Sequence, residues 1–159
     1  MKRIKLFDPS TNESEKNAIK RILDSHFWAS GGGGGEVQKF EEKFLKYTNS
    51  KSCVAVNSGT AALNLALSMY NIKNKEVIIP SLSFVSTANA VIENGGIPKF
   101  VDIDEKTLCM DPEKILKVIS KKTKVILPVH FGGLTSNLGE ISKLCKEHKI
   151  ALVEDAAHA

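Results

Sequence analysis

The chain has 159 residues and a mass of 17.3 kDa, which is room for one domain of ordinary size. With 42% hydrophobic and 25% charged residues it reads as a globular protein, which excludes a wholly disordered chain, a collagen-like repeat and a disulfide-stapled miniprotein. The net charge of +4 is diffuse and carried almost wholly by lysine, with Arg3 and Arg21 the only arginines, so no Arg-rich stripe marks a nucleic-acid partner.

The longest apolar runs, such as residues 125–129, are far too short to cross a bilayer. Lys2, Arg3 and Lys5 are followed by no apolar signal core, so a cytoplasmic protein without a membrane partner is expected. Cys53, Cys109 and Cys145 are widely separated, which suits reduced thiols. His26, His130, His148 and His158 are scattered, so no metal site is expected.

In chain order, Asn12 with Glu15 three residues on predicts a capping box at the start of a first helix. Ala18, Ile19, Ile22 and Leu23 share one face of it. Gly31 to Gly35 cannot hold a helix or strand against their backbone entropy and read as a loop; taken alone, it is a flexible linker. Val37, Phe40 and Phe44 are spaced for one face of a second helix.

From Cys53 onward, short apolar runs alternate with helical stretches. Strands are expected at 53–56, 76–79, 99–101, 124–129 and 151–154. Helices are expected at 61–70, 85–93, after Pro112 with Asp111 as its cap, and after Asn137, where Glu140 repeats the capping-box spacing. This alternation predicts an α/β fold: a mainly parallel sheet flanked by helices on both faces. The expected division is residues 1–52, with N-terminal helices and the glycine-rich loop, and residues 53–159, the α/β part. The sequence stops at the end of a strand-like run, where domains seldom end, and this predicts a truncated domain.

Ligands of such sheets bind beyond the carboxyl ends of the strands, so the residues after each strand sample the site. After 53–56 come Ser58, Gly59, Thr60 and Ala61, small residues and two hydroxyls that open a helix. They form either a phosphate cradle, with N–H groups and helix dipole aimed at one spot, or an ordinary N-cap with a turn glycine. No Walker loop or dinucleotide fingerprint is present. Phe84, after the second strand, could stack on a planar ring, but residue type alone favours a place in the core. After the fourth strand, Gly132 and Gly133 carry no side chain and let the backbone pass close to a ligand, while His130 reads as a structural histidine in preference to a ligand contact. Asp155 ends the last run, where it either caps the next segment or pairs with a bound cation such as a pyridinium nitrogen.

Taken in order, several stretches resemble the DegT/DnrJ/EryC1/StrS family of pyridoxal-phosphate enzymes. They are Trp28-Ala29-Ser30-Gly31, Asn57-Ser58-Gly59-Thr60-Ala61-Ala62-Leu63, Pro80-Ser81-Leu82-Ser83-Phe84-Val85-Ser86-Thr87-Ala88-Asn89-Ala90, Phe100-Val101-Asp102-Ile103-Asp104, Pro128-Val129-His130 and Glu154-Asp155-Ala156-Ala157-His158. The resemblance implies part of the large domain of the aspartate-aminotransferase fold, binding pyridoxal 5'-phosphate. It implies that Ser58, Gly59, Thr60 and Ala61 hold the cofactor phosphate, that Phe84 stacks on the ring, and that Asp155 meets the ring nitrogen. His158 stands where the family often has Gln or His reaching the phenolic oxygen, and the glycine-rich stretch becomes a substrate-side loop.

The implied activity is transfer of an amino group from a glutamate-like donor to a keto-sugar nucleotide, by a homodimer. The family's Schiff-base lysine lies downstream of the Asp motif and matches no residue of this chain, so inactivity of the chain alone is expected. Relatives that carry histidine in place of that lysine dehydrate a deoxysugar, which is the alternative enzyme. A non-catalytic binding module and a generic nucleotide-binding domain are the readings from other classes. The run Phe131-Gly132-Gly133-Leu134-Thr135-Ser136 departs from the family's usual aromatic-Gly-Gln/Arg-Pro pattern, which leaves substrate preference open.

Overall fold

Asn12 begins helix α1 (Glu13–Asp24) with both arms of the expected capping box: its side chain serves the first turn, and its own N–H donates to Glu15 Oε2 at 2.6 Å. Helix α2 (Gly35–Thr48) follows. The computed structural model describes residues 8–28 and 35–159, so most of the glycine-rich loop, with Ala29, Ser30 and Gly31 of the sequence motif, lies outside the described residues. The chain divides into two compact units, Met1–Ala55 and Val56–Ala159. Neither α1 nor α2 buries a residue, and Phe40 and Phe44 stack on each other at 5.7 Å on the expected face.

The second unit is a four-stranded sheet with every pairing parallel. Its elements are α3 (Gly59–Ser68), β1 (Glu76–Pro80), α4 (Val85–Glu93), β2 (Ile97–Val101), α5 (Pro112–Val118), β3 (Thr123–Ile126), α6 (Leu138–His148) and β4 (Ala151–Leu152). The spatial order is β2-β1-β3-β4. Alternate side chains of each strand face opposite sides, so both faces must be covered. Val77, Ile79, Val125 and Leu127 join Leu63 and Leu67 of α3 and Ala90 and Val91 of α4 in one core. Ile78 and Ile126 join Ile115 of α5 and Ile141 and Cys145 of α6 in the other. Burial pushes the Cys145 thiol above its ordinary pKa, so it packs as an inert apolar group.

The helix starts follow their caps. Asp111 accepts the Glu113 N–H at 2.9 Å, and Pro112 occupies the first helical position. Asn137 accepts the Glu140 N–H at 3.3 Å, which is one arm of the expected capping box; no bond returns from the Glu140 side chain. Residues 53–56 correct a prediction, because they form no strand. A strand exists only as one side of a hydrogen-bonded ladder, and among the described residues this run has no ladder partner. Val54 and Val56 stay exposed.

At the amino-terminal edge of the sheet, Glu76 ties three elements together. Its carboxylate accepts from Ser120 Oγ at 2.6 Å, Lys99 Nζ at 3.2 Å and Thr123 Oγ1 at 3.3 Å. The Ser120 hydroxyl, aided by Lys99 and Thr123, holds its pKa below the ordinary carboxylate value.

Candidate functional site

From β1 the chain runs by α4 to β2 on one side, and from β2 it crosses by α5 to β3 on the other. The strand order therefore reverses at β1, and a crevice opens between the carboxyl ends of β1 and β3, where ligands of such sheets sit. Ser83, Phe84 and Thr87 come from the segment after β1, His130 from the segment after β3, and Glu154, Asp155 and His158 from the segment after β4.

Asp155 is the centre of this group. Its backbone extends the β3–β4 pairing: Val129 and Asp155 form a parallel bridge, Asp155 N–H donates to Pro128 O at 2.9 Å, and His130 N–H donates to Asp155 O at 3.1 Å. Its carboxylate is held at both oxygens. Oδ1 accepts the Ala157 N–H at 3.2 Å, and Oδ2 accepts the Thr87 hydroxyl at 3.4 Å. Each oxygen keeps lone-pair capacity for a further donor.

Phe84 is the N-cap residue of α4 and makes no side-chain cap bond. The residue is 74% exposed, which overturns the core reading that residue type favoured and leaves an apolar side chain at the mouth. The carbonyl of Phe84 accepts the Thr87 N–H at 3.1 Å, so one turn of chain joins the ring to the residue that touches Asp155.

His130 is buried and fully engaged. Nδ1 accepts the Ser136 N–H at 3.2 Å, which places the ring proton on Nε2, and Nε2 donates to Glu154 Oε2 at 3.0 Å. It fastens the β3 end to the β4 end and is structural, as the sequence reading favoured. His158 differs, being exposed. Its Nδ1 accepts the Gly132 N–H at 3.1 Å, and its ring meets Phe131 edge-on at 5.7 Å. The same tautomer argument leaves Nε2–H as a free donor.

At the start of α3, Ser58 is extended and its side chain accepts the Ala61 N–H at 3.1 Å, while Ala62 N–H donates to Ser58 O at 3.0 Å. The N–H groups of Gly59 and Thr60 and the Thr60 hydroxyl make no hydrogen bond to the described residues. A β-carbon at Gly59 would meet nothing within 4 Å, so that approach is open. The N-cap reading accounts for Ser58 and Ala61, whose N–H is already engaged, while Gly59 and Thr60 keep their donors unpaired among the described residues.

The structure joins Phe84, Thr87 and Asp155 through bonded neighbours, and Asp155 to His130, Phe131 and His158 through the paired strand ends. The first turn of α3 shares no hydrogen bond with that group. α3 meets α4 farther along, where Asn64 donates to Glu93 at 2.6 Å and Asn94 donates to Asn64 at 3.0 Å. Sequence reading assigned no role to Ser83 or Thr87; the close approach it expected of a ligand at Gly132 and Gly133 is made in the structure by His158, through its Nδ1 at Gly132 and its carbonyl oxygen at Gly133. The four-residue spacing of Ser83 and Thr87 across the α4 N-terminus was the available signal, but it becomes informative only once Asp155 is placed beside it. No group of three or more metal-ligating side chains occurs among the described residues, and none of their helices is long and apolar enough to cross a membrane.

Three known proteins resemble the chain across most of its length. It is 42% identical over 152 residues to the spore coat polysaccharide biosynthesis protein SpsC of Bacillus subtilis (strain 168), covering 95% of this chain and 38% of that protein. The crystal structure of 3-amino-5-hydroxybenzoic acid synthase superposes with a TM-score of 0.90 at 36% identity, covering 95% of this chain and 39% of that one. GDP-4-keto-6-deoxymannose-3-dehydratase with a trapped PLP–glutamate geminal diamine superposes with a TM-score of 0.88 at 32% identity, covering 96% and 41%. The chain thus spans about two-fifths of the length of these relatives. From residue 9 to residue 159 it matches one family throughout, and it belongs to the DegT/DnrJ/EryC1/StrS aminotransferase family.

Proposed function

We propose that residues 53–159 form part of the cofactor-binding domain of a pyridoxal 5'-phosphate enzyme, one that moves an amino group from a glutamate-like donor to a keto-sugar nucleotide. The observation that carries this reading is Asp155: a carboxylate held at both oxygens at the switch point, linked through Thr87 to the exposed Phe84. The residues fit the cofactor. Gly59 and Thr60 offer unpaired donors and an open approach for its phosphate, with Ser58 and Ala61 shaping the turn. Phe84 would supply a face for its ring, the Asp155 carboxylate would accept from its protonated ring nitrogen, and His158 Nε2–H would serve as a donor to its phenolic oxygen. When bound, the cofactor supplies an electron sink through its protonated ring.

The Schiff-base lysine is assigned to none of residues 1–159, so the reading predicts cofactor binding, and not turnover, by this polypeptide on its own. A homodimer in the cytoplasm, with the amino donor and the sugar nucleotide as partners and neither nucleic acid nor membrane, belongs to the same reading. The likeness to the dehydratase supports a second one, a deoxysugar dehydratase built on the same cradle.

An equilibrium titration with pyridoxal 5'-phosphate, followed by absorbance, tests the reading. Asp155→Ala removes a charge-assisted partner and is expected to weaken binding by about 10- to 100-fold. Equal affinity of the two proteins would contradict the role given to Asp155.

A further inference from the structure

Thr87 is fully buried, yet its side chain is polar and makes two contacts. Its hydroxyl lies 2.6 Å from the Ser83 hydroxyl and 3.4 Å from Asp155 Oδ2. A threonine hydroxyl has one proton, and an ionised carboxylate only accepts. Thr87 therefore donates to Asp155, and Ser83 donates to Thr87, which fixes the direction of the whole chain: Ser83 to Thr87 to Asp155. Thr87 is stiff at χ1, being β-branched, and its backbone N–H is engaged by Phe84 O at 3.1 Å. The far oxygen of Asp155 is held independently by the Ala157 N–H.

The geometry points to Ser83 and Thr87 as a positioning pair for the Asp155 carboxylate. Together they hold its plane so that a lone pair stays aimed into the mouth, where a protonated ring nitrogen would meet it. This inference rests on the cofactor reading above. Both residues act through Asp155. The Thr87–Asp155 contact is long for a hydroxyl bond, so its role is to orient the carboxylate, and most of the binding energy comes from elsewhere. Ser83 adds a second constraint by polarising the Thr87 hydroxyl.

The test compares two probes, pyridoxal 5'-phosphate and its 1-deaza analogue, in which a carbon replaces the ring nitrogen. Affinities are measured for the wild-type chain and for Thr87→Val, Thr87→Ser, Ser83→Ala and Asp155→Ala. Thr87→Val keeps the shape and loses the donor; it is expected to weaken pyridoxal phosphate binding by about tenfold. Thr87→Ser restores the donor and binding to within about twofold, and Ser83→Ala gives a loss of about twofold to fivefold. The Thr87→Val loss should vanish for the deaza analogue, which has no ring nitrogen for Asp155 to meet. An equal loss for both probes would show a merely structural role and overturn the proposal. So would a Thr87→Val affinity equal to wild type while Asp155→Ala binds weakly. Should Thr87→Val fail to fold, a Ser83→Ala affinity equal to wild type would overturn it instead. Failure of the wild-type chain to bind pyridoxal phosphate, or indifference to Asp155→Ala, would sink the cofactor reading itself.

Discussion

Gly133 and Gly59 belong to two separate motifs of the candidate site and carry opposite constraints. At Gly133 the backbone has φ +85°, and a β-carbon would lie 2.8 Å from the His158 carbonyl oxygen, so a side chain is excluded by both conformation and space. Gly133→Ala is expected to cost about 1–3 kcal/mol of stability in urea unfolding, by strain and by pushing the His158 segment away. At Gly59 nothing lies within 4 Å of the added carbon, so Gly59→Ala should unfold at no lower urea concentration than wild type. Equal destabilisation by the two changes would contradict this assignment. The sequence alone could not separate these glycines, because what distinguishes them is the His158 carbonyl, 25 residues along the chain. The same limit applied to Phe84, which residue type alone placed in the core sooner than at the mouth, and whose exposure is decided by where the α4 N-terminus meets the sheet. Asp155 and His130 were legible because strand-end position alone assigns them their neighbourhood.

Among the elements, the alternating faces of β1 and β3 and the caps at Asn12, Asp111 and Asn137 were readable locally, since period and capping are local properties. The run 53–56 has the composition of a strand yet forms none, because pairing depends on a partner and no propensity supplies one. Glu76 shows how pairing is fastened where it does occur: one carboxylate on β1 is bound to Lys99 of β2, Thr123 of β3 and Ser120 just before β3. Its folded pKa is depressed below the ordinary 4.5, so its contribution to stability is complete above that value. That contribution is lost as pH falls through the depressed folded value. Glu76→Gln is therefore expected to lower the melting temperature by about 2–4 °C at pH 7, for a loss of about 1 kcal/mol. The difference should shrink toward pH 3. A difference that stays constant across that range would show that the charge of Glu76 contributes nothing.

Over the whole molecule, burial is concentrated in the unit from Val56 to Ala159, where two cores clasp the sheet from opposite faces. The candidate site belongs to that same unit: the donors of Gly59 and Thr60, the Phe84 ring, and the Asp155 carboxylate with its Thr87 and Ala157 supports. A parallel sheet follows from the alternation of strands and helices, whereas its switch point needs the spatial order of the strands, which that alternation does not supply. The small groups that orient Asp155 were not legible either, because their significance lies in distances between segments far apart in the chain. The central claim is that this unit binds pyridoxal 5'-phosphate at that switch point. Its most direct measurement is a backbone amide NMR titration of the chain with the cofactor. The account predicts the largest shift changes at Gly59 and Thr60, with a second group at Phe84, Thr87 and Ala157. Saturable changes confined to other segments, or none at millimolar cofactor, would contradict it.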